Sequence, residues 1–192
     1  MQQGSINPKK LGNYEKNLKL RTEIPISLYS FLISEIIQYI LSKSEEDKDF
    51  DIEEKLSSFG YTIGEKVLEL CSLRDKAFKR ELKIVNMLQF VHNNVWKMIF
   101  NKQADGLQKS TDDPDEYRII ENTPLINKFI TLPKGNTLNC GSFFAGIIEG
   151  ILNSSDFRSK VSAYFYEIDG MSKTYYIIKF DRDVINRDNE LK

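Results

Sequence analysis

The chain has 192 residues, of which 41% are hydrophobic, and a formal net charge of −1. That length suits one domain with its own core, burying roughly 70% of the surface an unfolded chain exposes. The near-zero charge gives no electrostatic case for nucleic acid or an anionic membrane as the main partner, and two cysteines, Cys71 and Cys140, are too few for a secreted disulfide framework.

In chain order, residues 1–24 read as a mobile N-terminal segment, polar and rich in lysine and turn formers, without the apolar stretch of a signal peptide. Pro25 and Ser27 start a helix predicted to reach Ser42. Its apolar positions are Leu28, Tyr29, Phe31, Leu32, Ile33, Ile36, Ile37, Tyr39, Ile40 and Leu41. They fill more than the ~100° stripe that a single core requires. Either both sides are buried within the domain or one meets a partner, and Leu28, Tyr29, Leu32, Ile36, Tyr39 and Ile40 are the candidate partner face.

Residues 43–51 form a charged linker. Its Asp47-x-Asp49-x-Asp51 pattern fails as a calcium loop, because Ile52 stands at the glycine position and Ser58 at the bidentate glutamate. The next helical pattern puts Gly60, Ile63, Gly64, Val67, Leu68 and Cys71 on one face. Two glycines one turn apart leave a flat notch for another helix. GYTIGEK is no phosphate loop, since the spacing is wrong and no hydroxyl follows the lysine. Residues 76–83 read as solvated surface, their basic charge diluted by Asp75 and Glu81.

Residues 81–100 are predicted as the longest helix, with Ile84, Leu88, Val91, Val95 and Met98/Ile99 inward and Met87, Phe90 and Trp96 widening the stripe. His92 has no cysteine or acid at metal-ligand spacing and reads as a surface or satisfied histidine. Residues 101–114 read as a polar loop with an acidic rim. A strand at 117–121 turns at Asn122-Thr123-Pro124 into a second strand at 125–132, stopped by Pro133 and Lys134-Gly135-Asn136.

Asn136 or Thr137 then caps a helix through Leu152. Leu138, Phe143, Phe144, Ile147, Ile148, Ile151 and Leu152 make it apolar, while Gly141, Ala145, Gly146 and Gly150 leave parts of it bare. Glycine in a helix costs about 1 kcal/mol relative to alanine, so something should pack very close. This is read as a central, buried helix leaning on a sheet. Residues 161–168 and 173–180 follow as an antiparallel hairpin turning at Asp169-Gly170-Met171-Ser172. Residues 183–192 are a polar tail or short helix, leaving 25–182 as one domain. The expected fold is α+β, with helices on one side of a four-stranded antiparallel twisted sheet.

No catalytic constellation, metal site or cofactor is expected. Cys140 at a helix start could gain thiolate character, but no base accompanies it, and a small buried thiol is the better reading. Glu121 and Glu149 are expected to satisfy polar partners rather than transfer protons. Asn153-Ser154-Ser155 matches a glycosylation acceptor only by accident in a cytosolic chain.

The run Y-x-I-I-E-x-x-P-L-I-N-x-x-I from Tyr117, followed by L-P-K and T-L-N-C-x-S-F-x-A-G-I-x-E, resembles the small-subunit family of the transport protein particle (TRAPP), nearest its subunit-5 type. Gly60-Tyr61-x-Ile63-Gly64 and Val95-Trp96-Lys97-x-x-Phe100 fall where that family has similar motifs. The resemblance marks Gly60, Tyr61, Gly64, Trp96, Glu121, Pro124, Leu125, Asn139, Cys140, Phe143, Gly146 and Glu149 as structural motif positions. It implies the same architecture in a structural subunit of a vesicle-tethering complex acting between endoplasmic reticulum and Golgi. The assembled complex would act as a guanine-nucleotide exchange factor on a Rab GTPase. Implied partners are other small subunits, bound through the early helices, and a Rab GTPase through the assembly, with a homodimer open to the isolated chain. The implied location is cytoplasmic, peripheral to the endoplasmic reticulum and cis-Golgi, with no nucleic acid and no membrane insertion. The founding member's acylated cysteine has no counterpart here, since the loop near Lys79 and Arg80 carries none and Cys71 lies earlier. The alternative reading is a small lipid- or acyl-binding domain with an apolar cavity near the central helix.

Overall fold

The computed structural model describes residues 24–44, 51–74, 79–111, 113–125, 138–168 and 171–191. The first helix, α1, spans Ile26–Ser44 and turns Ile33, Ile37 and Ile40 inward. Those positions recur at helical spacing and make one narrow inner stripe. Helix α2, Ile52–Arg74, starts at Asp51, whose Oδ1 accepts the backbone N–H groups of Glu53 (2.9 Å) and Glu54 (3.1 Å). Asp51 therefore ends the charged linker as a helix cap.

Helix α3 is continuous but not uniform, with α-helical segments Ile84–Phe90 and Trp96–Phe100 flanking a π-helical turn, Val91–Val95. The wider turn lets Val91, Val95 and Trp96 all face the core. The N–H of Ile84 donates to Asp188 Oδ1 at 2.8 Å, and Asn101 closes the helix in the left-handed region at φ 57°.

Strands β1 (Gly106–Lys109), β2 (Glu116–Glu121), β3 (Ser159–Ile168) and β4 (Met171–Phe180) form one antiparallel sheet in the order β1-β2-β4-β3. Alternate positions Tyr117, Ile119 and Glu121 of β2 are buried, as are Thr174, Tyr176, Ile178 and Phe180 of β4. Tyr164, Tyr166 and Lys179 point the other way and are exposed. The period-two pattern thus faces one side of the sheet toward the helices.

The α+β architecture and the four-stranded antiparallel sheet are as expected, but the strand at 106–109 lies in a stretch read as loop. GLQK carries no alternating pattern of its own; it is a strand because β2 offers it a partner from Gly106↔Ile120 to Lys109↔Tyr117. The predicted strand at 125–132 and the cap at Asn136 or Thr137 lie outside the described residues beyond Leu125. Residues 1–23 also lie outside them. Arg182–Glu190 form a helix, α5, with Val184 and Asp188 buried.

Helix α4, Ser142–Ser154, is buried along nearly its whole length. Its opening is held by Asn139, whose Oδ1 accepts the Gly141 N–H at 2.9 Å. It crosses α2 through glycine on both sides. A β-carbon at Gly60 or Gly64 would fall on the carbonyl oxygens of Phe143 and Ile147, and one at Gly146 or Gly150 on those of Ser57 and Tyr61. Each helix thus presses backbone to backbone, the close contact that the sequence pattern called for.

Because the obstruction is backbone on a fixed helix, it cannot swing aside as a side chain would. Alanine normally stabilises a helix over glycine by about 1 kcal/mol. Here the sign reverses: Gly60→Ala or Gly146→Ala is expected to cost about 2–3 kcal/mol or more by urea unfolding. Ser58→Ala, exposed on the same helix, should stay within about 0.5 kcal/mol of the parent.

Candidate functional site

The outer side of α1 remains apolar after the chain has folded. Leu28, Leu32 and Tyr39 are 55%, 57% and 56% exposed, and Phe31 is 71% exposed. Ile24 and Ile26 continue this exposed set, and Phe59 and Ile63 are exposed on α2. Tyr29 and Ile36 of the expected face are half-buried and pack against the core. Ile40 is a correction: at 1% exposure it completes the inner stripe with Ile33 and Ile37 and is unavailable to a partner. A stretch that is apolar all round does not reveal its own phase, which is set by where α2 lies.

The motif positions are brought together around α4. Glu53 of α2 accepts the Asn139 N–H at 2.9 Å and lies 3.4 Å from the Ser142 hydroxyl. The Asn139 side-chain amide donates to the Ala163 carbonyl, and Glu149 Oε2 accepts the Val161 N–H at 2.9 Å. Both contacts fall on β3, the edge strand, with Lys160 Nζ closing on Glu149 Oε1 at 3.2 Å. These polar side chains fasten the helix to the sheet. Beside them a groove of about 620 Å³ runs between α2 and β3, lined by Glu53, Ser57, Tyr61 and Glu149 among others.

Phe143 packs edge-on to Phe144 at 5.4 Å, and Trp96 packs on Phe100 at 5.4 Å and Tyr176 at 5.5 Å. Pro124 is buried and Leu125 half-buried at the end of the β2 turn. Cys140 is buried, and burial, reinforced by the Glu53 carboxylate, pushes its thiol up to about 11. A thiol so held offers almost no thiolate near neutrality. Cys71 is buried with its sulfur 3.5 Å from that of Met98. A second groove, of about 400 Å³, is lined by Leu68, Met87 and Phe90 together with Lys79 and Arg80.

Glu121 lies fully buried at the end of β2. Tyr176 Oη donates to its Oε2 at 3.3 Å, and Lys102 Nζ stands 3.7 Å from Oε1. Burial raises its carboxyl group to about 7, with a smaller push from Asp105, against the pull of Lys102 and the Tyr176 hydrogen bond. Burial raises the hydroxyl of Tyr29, from α1, above its ordinary value, and the Glu121 carboxylate raises it further. The sequence showed Glu121 as a motif residue; Tyr29, Lys102 and Thr174 join it only through tertiary contacts.

The family model for the transport protein particle (TRAPP) component matches residues 29–181. The chain belongs to this family. Trafficking protein particle complex subunit 5 of Dictyostelium discoideum is 46% identical over 172 residues, spanning 88% of this chain and 91% of that protein. The human protein of the same name is 39% identical over 173 residues, spanning 90% and 88%. Among solved structures, a trafficking protein particle complex subunit 3 from Naegleria fowleri, covalently bound to palmitic acid, superposes with a TM-score of 0.64. It shares 16% identity and covers 81% of this chain and 97% of its own, so it shows the TRAPP fold.

The raised Glu121 group sets a pH dependence of stability. The folded chain keeps a proton that the unfolded chain releases, so the contribution is full below pH 4.5 and is lost as pH rises through about 7. Relative to Glu121→Gln, the parent should lose roughly 3 kcal/mol of unfolding free energy across that window, read from urea midpoints at its two ends. Separately, Glu149→Ala should cost about 1–3 kcal/mol and speed exchange of the Val161 amide, which loses its acceptor.

Proposed function

We propose that the chain is a structural subunit of a TRAPP vesicle-tethering complex in transport between endoplasmic reticulum and Golgi. The observation that carries this reading is the apolar face of α1, where Leu28, Phe31, Leu32 and Tyr39 stay more than half exposed among the described residues. Monomeric proteins rarely leave large apolar side chains clustered on one exposed face without a use for them. Family membership supports a protein partner for it, since the relatives are named as subunits of a trafficking protein particle complex. Sibling subunits cover α1 and the neighbouring Phe59 and Ile63 of α2, and a second copy takes their place when the chain is alone.

Guanine-nucleotide exchange on a Rab GTPase belongs to the assembled complex, to which this chain contributes scaffold. Its own chemistry is poor, because the Cys140 thiol is buried and raised well above neutrality. No helix among the described residues is long and apolar enough to cross a membrane. The location follows from the assembly: cytoplasmic, at the surface of endoplasmic reticulum and cis-Golgi membranes. The acyl-binding alternative is weaker, since both cysteines point into the core.

Leu28→Asp combined with Leu32→Asp tests the face while leaving Ile36, which packs against the core, unchanged. The double variant should keep its circular dichroism spectrum and its melting temperature within a few degrees, yet fail to co-purify with sibling subunits. Undiminished co-purification would remove α1 from the interface.

A further inference from the structure

The buried face of the sheet carries a polar cluster that assembly alone does not require. Glu121 stands opposite Thr174 in the β2–β4 register, and Tyr176 lies two residues further along the same face. Trp96 closes on Tyr176 from α3, and α1 sends in Tyr29. Four atoms here, Tyr29 Oη, Trp96 Nε1, Glu121 Oε1 and Thr174 Oγ1, are buried without a hydrogen-bond partner. An ionised carboxylate in such a place needs several short hydrogen bonds. Glu121 has one, at 3.3 Å from Tyr176, and an ion pair at 3.7 Å with a partly exposed lysine.

We propose that Glu121 is a proton-operated latch on the first turns of α1: with the acid neutral, Tyr29 stays seated against the sheet, and ionisation favours the lifting of that end of the helix. Lifting Tyr29 lets water reach the carboxylate. Whichever state holds the proton more tightly is favoured as pH falls, so the seated state gains at low pH and the lifted state at high pH. The charged and titratable groups facing Glu121 are Lys102 and Asp105, from the segment before β1, Tyr176 from β4 and Tyr29 from α1. Lys102 favours the ionised acid and Asp105 opposes it, while Asp105 is itself held by the Asn122 N–H at 2.7 Å. Apolar contact holds α1 at Ile33, Ile37 and Ile40, and only the first turns add the polar seat of Tyr29. The latch therefore acts on the end that carries Leu28, Phe31 and Leu32. Its consequence for assembly rests on the reading of α1 as the partner face; the latch itself does not.

Hydrogen exchange by mass spectrometry on the full chain tests it, with rates corrected for the intrinsic pH dependence of exchange. Amides of residues 28–33 should exchange several-fold faster at about pH 8 than at about pH 6, with those of residues 38–44 unchanged. The midpoint should lie near 7, where the Glu121 carboxyl titrates. Glu121→Gln should exchange slowly at both values. Lys102→Met, a change at a partly exposed side chain, should keep the fold and move the midpoint upward. Equal corrected rates at the two pH values in the parent chain, a pH step that survives Glu121→Gln, or an unmoved midpoint in Lys102→Met would each overturn the latch. Because exchange is read without any partner, these outcomes are independent of whether Leu28→Asp with Leu32→Asp loses its siblings.

Discussion

The crossing of α2 over α4 is the contact on which the other placements depend. Gly60 and Gly64 meet the backbone of α4 at Phe143 and Ile147, while Gly146 and Gly150 meet that of α2 at Ser57 and Tyr61. Reciprocal glycines let two helix axes approach more closely than any pair of larger residues would permit, at a propensity cost of about 1 kcal/mol each. The return is area: with no side chains between the backbones, the flanking residues Phe143, Ile147, Ile151 and Leu56 are drawn into contact and buried. A helix as apolar as α4 could not be placed against a single neighbour. It fills the space between α2 and the sheet.

Two apolar layers can slide over each other, and polar anchors fix the position. Glu53 ties α2 to Asn139 and Ser142; Asn139 and Glu149 tie α4 to β3. Such bonds add only about 1 kcal/mol each, but a buried N–H or carbonyl left without its partner costs more than the bond contributes. Their effect is therefore on register. The same contacts occupy backbone groups on the outward side of the edge strand, which would otherwise offer a template to another chain. Asn139 and Glu149 thus spend their polar groups on the backbone of β3 and, for Glu149, on Lys160.

Much of this was legible in the sequence, in proportion to how local its cause is. The paired glycines one turn apart, the hydrophobic period of α3 and the β3–β4 hairpin are local patterns, and each appears where expected. The strand β1 was hidden because Gly106–Lys109 has no period and no β-branched residue; its structure comes from the neighbouring strand. Ile40 was misassigned for the opposite reason, an excess of signal. In α1 the apolar positions spread over more than one face, so the pattern shows that two faces are greasy without showing which one turns inward. The pattern puts Tyr29 outward with Leu28, yet its hydroxyl is buried and feels the charge of Glu121, a residue far away in sequence.

The size of the α1 face also limits what it can do alone. Full burial of a large apolar side chain is worth about 1.5–3 kcal/mol, and Leu28, Leu32 and Tyr39 are already nearly half covered. Covering what remains of these and Phe31 yields roughly 5 kcal/mol, which lies at the low end of the cost of bringing two proteins together. A stable contact thus needs more surface than α1 supplies. Phe59 at 43% and Ile63 at 37% exposure, one turn apart on α2, are the next apolar groups on offer. Covering them adds about 2 kcal/mol on the same scale, so a partner that engages both helices gains more than one that touches α1 only. On the proposed reading the first two helices form one binding unit, of which α2, pinned to α4 through its glycines, is the rigid half.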